Sequence, residues 1–291
     1  MIVAKTIAEV RSALRGHRDP GVRIGFVPTM GALHEGHRSL IQAAAHASDL
    51  VVISIFVNPL QFGPGEDLAG YPRDLAADLA IADKDGVEVA FCPSEAEMYP
   101  AGISTTVSVG AIGEVLEGDA RPGHFTGVAT VVAKLFNVID PQLAFFGQKD
   151  AQQVAVIRRM VADLSFDIEV VACPTVRAAD GLALSSRNRY LTAIERKHAT
   201  VLARSLDAGE EELRSSRDPQ VAEKQMWHVL MSEPGAEPGY AAAVDPLSFG
   251  PPMPSASILL AVAARVGTTR LIDNKLVDLS PQGGTMDRGI G

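Results

Sequence analysis

Along the first two thirds of the chain, apolar residues fall in short unbroken runs separated by longer stretches with helical spacing. The runs are "VRIGFVP" (Val22–Pro28), "LVVISIFV" (Leu50–Val57), "VEVAFCP" (Val87–Pro93), "LAFFG" (Leu143–Gly147) and "IEVVACP" (Ile168–Pro174). Each is too short for a helix and too uniformly apolar for a strand with one wet face, so each predicts a strand buried on both sides. Between them, Gly36–Ser48, Pro72–Gly86, Phe125–Ile139 and Asp150–Leu164 carry apolar residues three and four apart and predict helices. The N-terminal "MIVAKTIAEVRSALRG" reads as one amphipathic helix, with Thr6 and Glu9 as a capping box and Gly16 as its stop. Alternating strands and helices predict an α/β fold with a doubly wound, Rossmann-like parallel sheet.

The pattern changes after about Val176. Two polar-faced helices are expected, roughly Thr192–Ser215 and Pro219–Met231. "SEPGAEPGY" (Ser232–Tyr240) reads as a Pro/Gly-rich linker, and Ser257–Asn274 as a hairpin turning at Gly267. Helices followed by antiparallel strands predict a smaller α+β C-terminal domain. The expected division is residues 1–176 and 177–291, with a Gly-rich tail after Pro281.

Composition adds constraints. Of 291 residues, 47% are hydrophobic and 21% charged, as in ordinary soluble proteins. A net charge of −9 argues against a nucleic-acid binder but allows an anionic small ligand held by local positive charge. The longest apolar run is too short to cross a membrane, and the N-terminus lacks the apolar core of a signal peptide. Cys92 and Cys173 stand in no metal-binding spacing and fit a reducing compartment. The expectation is a cytoplasmic enzyme or binding protein without membrane or nucleic-acid partners.

Candidate chemistry lies where strands end, the ligand edge of an open α/β sheet. "VPTMGALHEGHRSL" places His34 and His37 around the first turn of a helix, with Gly31 and Gly36 letting the backbone approach a ligand. Unpaired N–H groups there favour phosphate. The loop is neither a Walker A motif nor HExxH. Asn58 and Gln61 follow the second strand as uncharged hydrogen-bonding groups, although Asn58-Pro59 alone reads as a capped turn. In "FFGQKDAQQ", Lys149 and Asp150 meet a new helix beside Gly147. "ALSSRNRYL" pairs Ser185 and Ser186 with Arg187, a set suited to phosphate oxygens. By contrast, His17, His46, His198 and His228 have no catalytic neighbours, Met226 and Trp227 read as packing residues, and Glu210–Glu212 as a solvated helix face.

Together, "PTMGALHEGH", "SIFVNPLQFG", "RPGHFTGV", "FFGQKDAQQ", "PTVRAADGLA" and "SSRNRYL", in this order, resemble the pantothenate synthetase (pantoate–β-alanine ligase) family of the HxGH nucleotidyltransferase superfamily. The resemblance is specific from about Val22 to Leu191 and continues through "GTTRLIDN". It implies ATP-dependent, AMP-forming condensation of pantoate with β-alanine through a pantoyl adenylate, with Mg²⁺ accompanying ATP and a homodimeric assembly. It further implies an ATP site at Met30, Gly31, Ala32, Leu33, His34, Glu35, Gly36 and His37, with His37 as proton donor. Gly147, Gln148, Lys149, Asp150, Val176, Leu184, Ser185, Ser186 and Arg187 are the further ATP contacts implied. Gln61 and Gln153 fall on pantoate positions, and Gln61 also on one for β-alanine. His34, His37, Lys149 and Arg187 would be the groups that stabilise charge during adenylation.

The chain departs from the family pattern at Gln148, where Glu is usual, at Ala151, where an aromatic is usual, and at Leu184, where Met is common. Loss of the aromatic predicts a gap beside the pantoate pocket. The stretch "GYAAAVDPLSF" is also atypical. Three other readings have distinct signatures: another HxGH nucleotidyltransferase releases pyrophosphate without AMP, a non-catalytic homologue binds ATP without turnover, and a zinc hydrolase built on His34 and His37 carries metal. Placement of the serines and Arg187 predicts a second domain that closes over the first.

Overall fold

The computed structural model describes residues 1–100, 102–252 and 257–280; the Gly-rich tail lies outside them. Six strands form one parallel sheet: β1 (Ile2–Ala4), β2 (Ile24–Thr29), β3 (Leu50–Ile55), β4 (Val89–Phe91), β5 (Leu143–Gly147) and β6 (Glu169–Cys173). Their spatial order is β1-β4-β3-β2-β5-β6. The chain builds outward from β2 in one direction, then resumes on its other side with β5. The switch point therefore lies between β2 and β5, where open α/β sheets place their ligands.

Helices cover both faces: α1 (Ile7–Leu14), α2 (Glu35–Ala47), α3 (Leu75–Lys84), α4 (Glu95–Met98), α5 (Glu117–Ala120), α6 (His124–Ile139) and α7 (Ala151–Asp163). On one face Phe136 of α6 meets Phe26 and Phe146 edge-on, at 6.4 and 6.5 Å between ring centroids. On the other, Leu40, Ile41 and Ala44 of α2 pack over Val27, Ile53 and Phe145. Burying each large apolar side chain contributes about 1.5–3 kcal/mol, so two-sided burial explains why the inner strands β2 to β5 carry no polar alternation, whereas the edge strand β6, expected to be buried on both sides, is only half-buried.

The C-terminal region holds α8 (Ala193–Ala199), α9 (Val201–Ser216), α10 (Pro219–Met231) and an antiparallel sheet, β7 (Ala236–Val244), β8 (Ser257–Val266) and β9 (Thr269–Asp278). Met226 of α10 lies against Gly209 of α9, where any larger residue would overlap it. The hairpin turns at Gly267, whose φ of +56° suits glycine.

Five expectations need correction. Residues Ile2–Ala4 are not helical but pair with Val89–Phe91; the capping box Thr6–Glu9 starts the helix after them, and it ends at Leu14 before a 3-10 turn. The expected Thr192–Ser215 helix is interrupted at Thr200, whose hydroxyl donates to the Lys197 carbonyl at 2.7 Å and competes with the helical ladder. "SEPGAEPGY" is no linker: most of it belongs to β7, an edge strand, where Pro238 is tolerated beside a register shift. Glu210 is not merely solvated, since it pairs with Lys275 and Arg214. Met226 is buried as expected, whereas Trp227 is exposed. Among the described residues no helix is long and apolar enough to cross a membrane.

Candidate active site

The loop after β2 is shaped by a carboxylate that the sequence did not flag. Asp78, on α3 and 3% exposed, accepts the N–H groups of Ala32 at 2.9 Å and Leu33 at 2.7 Å. Gly31 has a φ of +81°, and a Cβ there would stand 2.7 Å from the Asp78 carboxylate. That cradle delivers His34 to the N-cap of α2, where its Nδ1 accepts the Gly36 N–H at 3.1 Å. His37 Nδ1 accepts the His34 N–H at 3.4 Å. A backbone N–H can only donate, so both Nδ1 atoms are unprotonated and each neutral ring carries its proton on Nε2. Burial, then Lys149, lowers the His34 pKa to about 4; burial, then His34, lowers that of His37 to about 3. At neutral pH the pair consists of two hydrogen-bond donors without charge.

Across the switch point, β5 ends in a 3-10 turn, Gln148–Asp150, that leads into α7. Lys149 Nζ lies 3.4 Å from the Asp150 carboxylate. Burial pushes Asp150 upward, but Lys149 and Arg187 outweigh it and hold the carboxyl below its ordinary value. Ser185 Oγ accepts the Arg187 N–H, Ser186 Oγ lies 3.4 Å from the Tyr71 hydroxyl, and Arg187 donates to Asp67 at 3.2 Å.

Gln61 is placed by a short turn, Pro59–Gln61, seated on α6 at Gly127, where a Cβ would overlap the Leu60 carbonyl. Asn58 caps that turn, donates to Gln61 Oε1 and the Gly127 carbonyl at 3.1 Å each, and accepts from Tyr99 at 2.8 Å. It is fully engaged, as a capped turn requires. His124 Nδ1 donates to the Gln61 carbonyl at 2.8 Å, and Arg121 donates to the same carbonyl and to His124 Nε2. Arg121 also grips Glu66 through two bonds of 2.6 and 2.7 Å. Neighbouring glutamines on α7 diverge. Gln152 ties the carbonyls of Ile112 and Val115 together, whereas Gln153 faces the cleft.

A cavity of ≈ 230 Å³ opens among these groups. It brings together Met30, His34, Gly36, His37, Gln61, Gly147, Lys149, Asp150, Gln153, Val176, Leu184, Ser185, Ser186 and Arg187. Five expected residues are not on its lining. Gly31 and Ala32 turn the backbone, Leu33 belongs to the core, Glu35 pairs with Arg38 on the outside, and Gln148 presents its carbonyl to Asn274. A contiguous cavity of ≈ 700 Å³ opens toward the C-terminal sheet. Ala151 borders this larger space, which Gln153 also lines, and packs with Phe249 and Leu259. Sequence reasoning passed over Asp78, Tyr71, Asp67, Arg121, His124 and Asn274. Arg121 and His124 carried a local signal, sitting together in "RPGHFTGV", and Asn274 closes the matched stretch "GTTRLIDN".

A model of the family described as Pantoate-beta-alanine ligase matches residues 2–276. The chain belongs to the pantoate-beta-alanine ligase family. It is 51% identical to a pantothenate synthetase of Acidobacterium capsulatum, over 96% of this chain and 97% of that one. A second, from a Thermoanaerobacter species, is 50% identical over 95% and 98% of the two chains. The crystal structure of pantothenate synthetase from Thermus thermophilus superposes with a TM-score of 0.90 at 47% identity, covering 97% of this chain and 100% of that one. The ligase from Francisella tularensis, solved with Beta-gamma ATP and Beta-alanine, superposes with a TM-score of 0.79 at 36% identity over 95% and 97%. The family's nucleotide co-substrate and small-molecule chemistry thus join the α/β fold and its smaller antiparallel unit.

Proposed function

We propose that the cleft at the β2–β5 switch point joins pantoate to β-alanine at the expense of ATP in two steps. A pantoate carboxylate oxygen attacks the α-phosphorus, the bond to pyrophosphate breaks, and pantoyl adenylate forms. The β-alanine amine, unprotonated, then attacks the anhydride carbonyl, loses a proton, and AMP departs with the transferred oxygen. The observation that carries this reading is the convergence of two neutral histidine donors, Lys149 and Arg187 beside two uncharged glutamines. Cations and N–H donors aimed at the phosphates stabilise the charge that grows there. Gln61 and Gln153 hold pantoate without a competing charge, and Phe56, Val128 and Val131 offer an apolar wall to its methyl groups.

His34 and His37 act in this reading as Nε2–H donors, in place of the proton donor expected for His37, because both are neutral near pH 7. Gly36, Ser185 and Ser186 meet ATP beside them, with Val176 and Leu184 against its nucleoside. Gln61 serves β-alanine as well. Asp150 is the one carboxylate lining the smaller cavity among the described residues, and it fits a second anchor for an Mg²⁺ carried chiefly by the phosphates. That ion would supply charge neutralisation on the departing pyrophosphate. Gln148 and Ala151 lie off the smaller cavity, which favours a working catalyst over a non-catalytic homologue.

The division into residues 1–176 and 177–291, a cytoplasmic setting and a homodimer without membrane or nucleic-acid partners complete the proposal. Free thiols at Cys92 and Cys173 support the reducing compartment. The test measures AMP and pyrophosphate from Mg-ATP with pantoate and β-alanine added singly and together. One AMP per amide, requiring both acids, is expected; ATP binding with no AMP under any combination rejects the reading.

A further inference from the structure

The third strand of the C-terminal sheet, β9, touches the Gln148–Asp150 turn with one face. Side chains alternate along a strand, so Arg270 and Asn274, four apart, share a face of β9. Leu271, on the opposite face, enters the C-terminal core, and Asp273 binds Arg177 at 2.6 and 3.0 Å. On the shared face, Arg270 reaches Glu117 at 2.5 Å. The Asn274 amide donates one hydrogen to the Gln148 carbonyl at 2.9 Å and the other to the Lys149 carbonyl at 2.8 Å.

We infer that Asn274 is a positioning residue for the reaction: by holding two consecutive carbonyls of the Gln148–Asp150 turn, it aims the Lys149 ammonium at the ATP phosphates. A three-residue turn has little internal hydrogen bonding, and no side chain caps its start. Something outside must fix its orientation. A planar amide with two hydrogens matches two neighbouring carbonyls, whereas serine offers one donor and ionised aspartate none. The residue is 6% exposed, and its Oδ1 is buried with no partner among the described residues. An unmatched buried acceptor weakens folding, the kind of local cost found at residues kept for function. The same strand that carries Arg270 onto Glu117 thereby couples the docking of the C-terminal sheet to the placement of Lys149.

The inference rests on the ligase reading, and its test separates the two. AMP formation is measured for the wild-type protein and for Asn274→Ala, Asn274→Ser and Asn274→Asp, each alone and combined with Lys149→Ala, alongside thermal unfolding. Displacing a reacting group by about 1 Å costs on the order of 100-fold in rate. Asn274→Ala and Asn274→Asp are expected to lower kcat by roughly that factor, with the KM for pantoate changed less than about 2-fold. Asn274→Ser, which keeps one donor, should fall between them and the wild type, and it carries the test if the alanine variant does not fold. Combined with Lys149→Ala, each substitution should cost less than about 3-fold more, because the two act through one group. Equal losses with and without Lys149, or a lower melting temperature with unchanged kcat, overturn the inference. No AMP from the wild-type protein removes the ligase reading, and this inference with it.

Discussion

The His34 and His37 rings stand 4.2 Å apart between centroids, with both Nδ1 atoms occupied by backbone N–H groups. Their remaining protons, on Nε2, are the ones available to a ligand. The arrangement carries a pH signature. Folding lowers both pKa values, to about 4 and about 3, and burial likewise lowers that of His124 to about 4. Between about pH 6.5 and 4 the unfolded chain therefore binds more protons at these sites, and stability falls as pH falls through that window. Urea midpoints taken from pH 7.5 to 4.5 should drop, more shallowly in His37→Gln. A rise on acidification contradicts the neutral pair.

Loss of one preorganised donor costs on the order of 3 kcal/mol of barrier, or roughly 100-fold in rate. His37→Ala should lose about that much in kcat for AMP formation, and His37→Gln less because its amide can still donate. A variant that changes only the KM for ATP would show that His37 binds the ground state and transition state equally.

Gly127 presents a purely steric test. A methyl group there overlaps the Leu60 carbonyl, so Gly127→Ala must lift the Pro59–Gln61 turn from α6. Overpacking of this kind costs about 1–3 kcal/mol of stability. The KM for pantoate should rise while ATP affinity, measured by calorimetry, stays within about 2-fold, a change too small to be 1 kcal/mol. Equal losses in both ligands would place Gln61 elsewhere in the chemistry.

Glu117 and Arg270 join α5 to β9, with the carboxylate 7% and the guanidinium 25% exposed and the guanidinium carbon 5.9 Å from the Tyr240 ring centre. Breaking a buried pair from one side costs about 3–5 kcal/mol, while replacing both partners with apolar groups costs much less. Arg270→Met should therefore unfold at markedly lower denaturant than Glu117→Leu/Arg270→Met. If the double variant is the less stable, the pair is not the joint between the sheet and the C-terminal unit.

The central strands were legible because two-sided burial removes polar residues from them, and Leu50–Ile55 needs no context to be read. Strand β1 was not, since three residues show no period and their pairing depends on β4, more than eighty positions away. Strand β7 was hidden by Pro238 and Gly239, which suggest a loop unless an edge position is known. At the site, glycine and histidine in one loop pointed to phosphate chemistry. Asp78 could not be read from the chain because its role is to accept backbone N–H groups, which leave no mark on the sequence. Asn274 closes the matched stretch "GTTRLIDN", but its role stayed hidden because its partners are carbonyls 125 and 126 residues away. Ala151 reads as a gap in the sequence; in the structure it packs with Phe249 and Leu259 of the C-terminal unit on the wall of the larger cavity.

Carboxylate attack on the α-phosphorus is the central step of the proposed reaction, and an isotope label follows that oxygen directly. Pantoate labelled with ¹⁸O in its carboxylate, turned over with ATP and β-alanine, should deliver one labelled oxygen to the phosphate of AMP, read by mass spectrometry. Label in pyrophosphate or inorganic phosphate, or amide formed with unlabelled AMP, would contradict an adenylate made in the His34–His37 cleft.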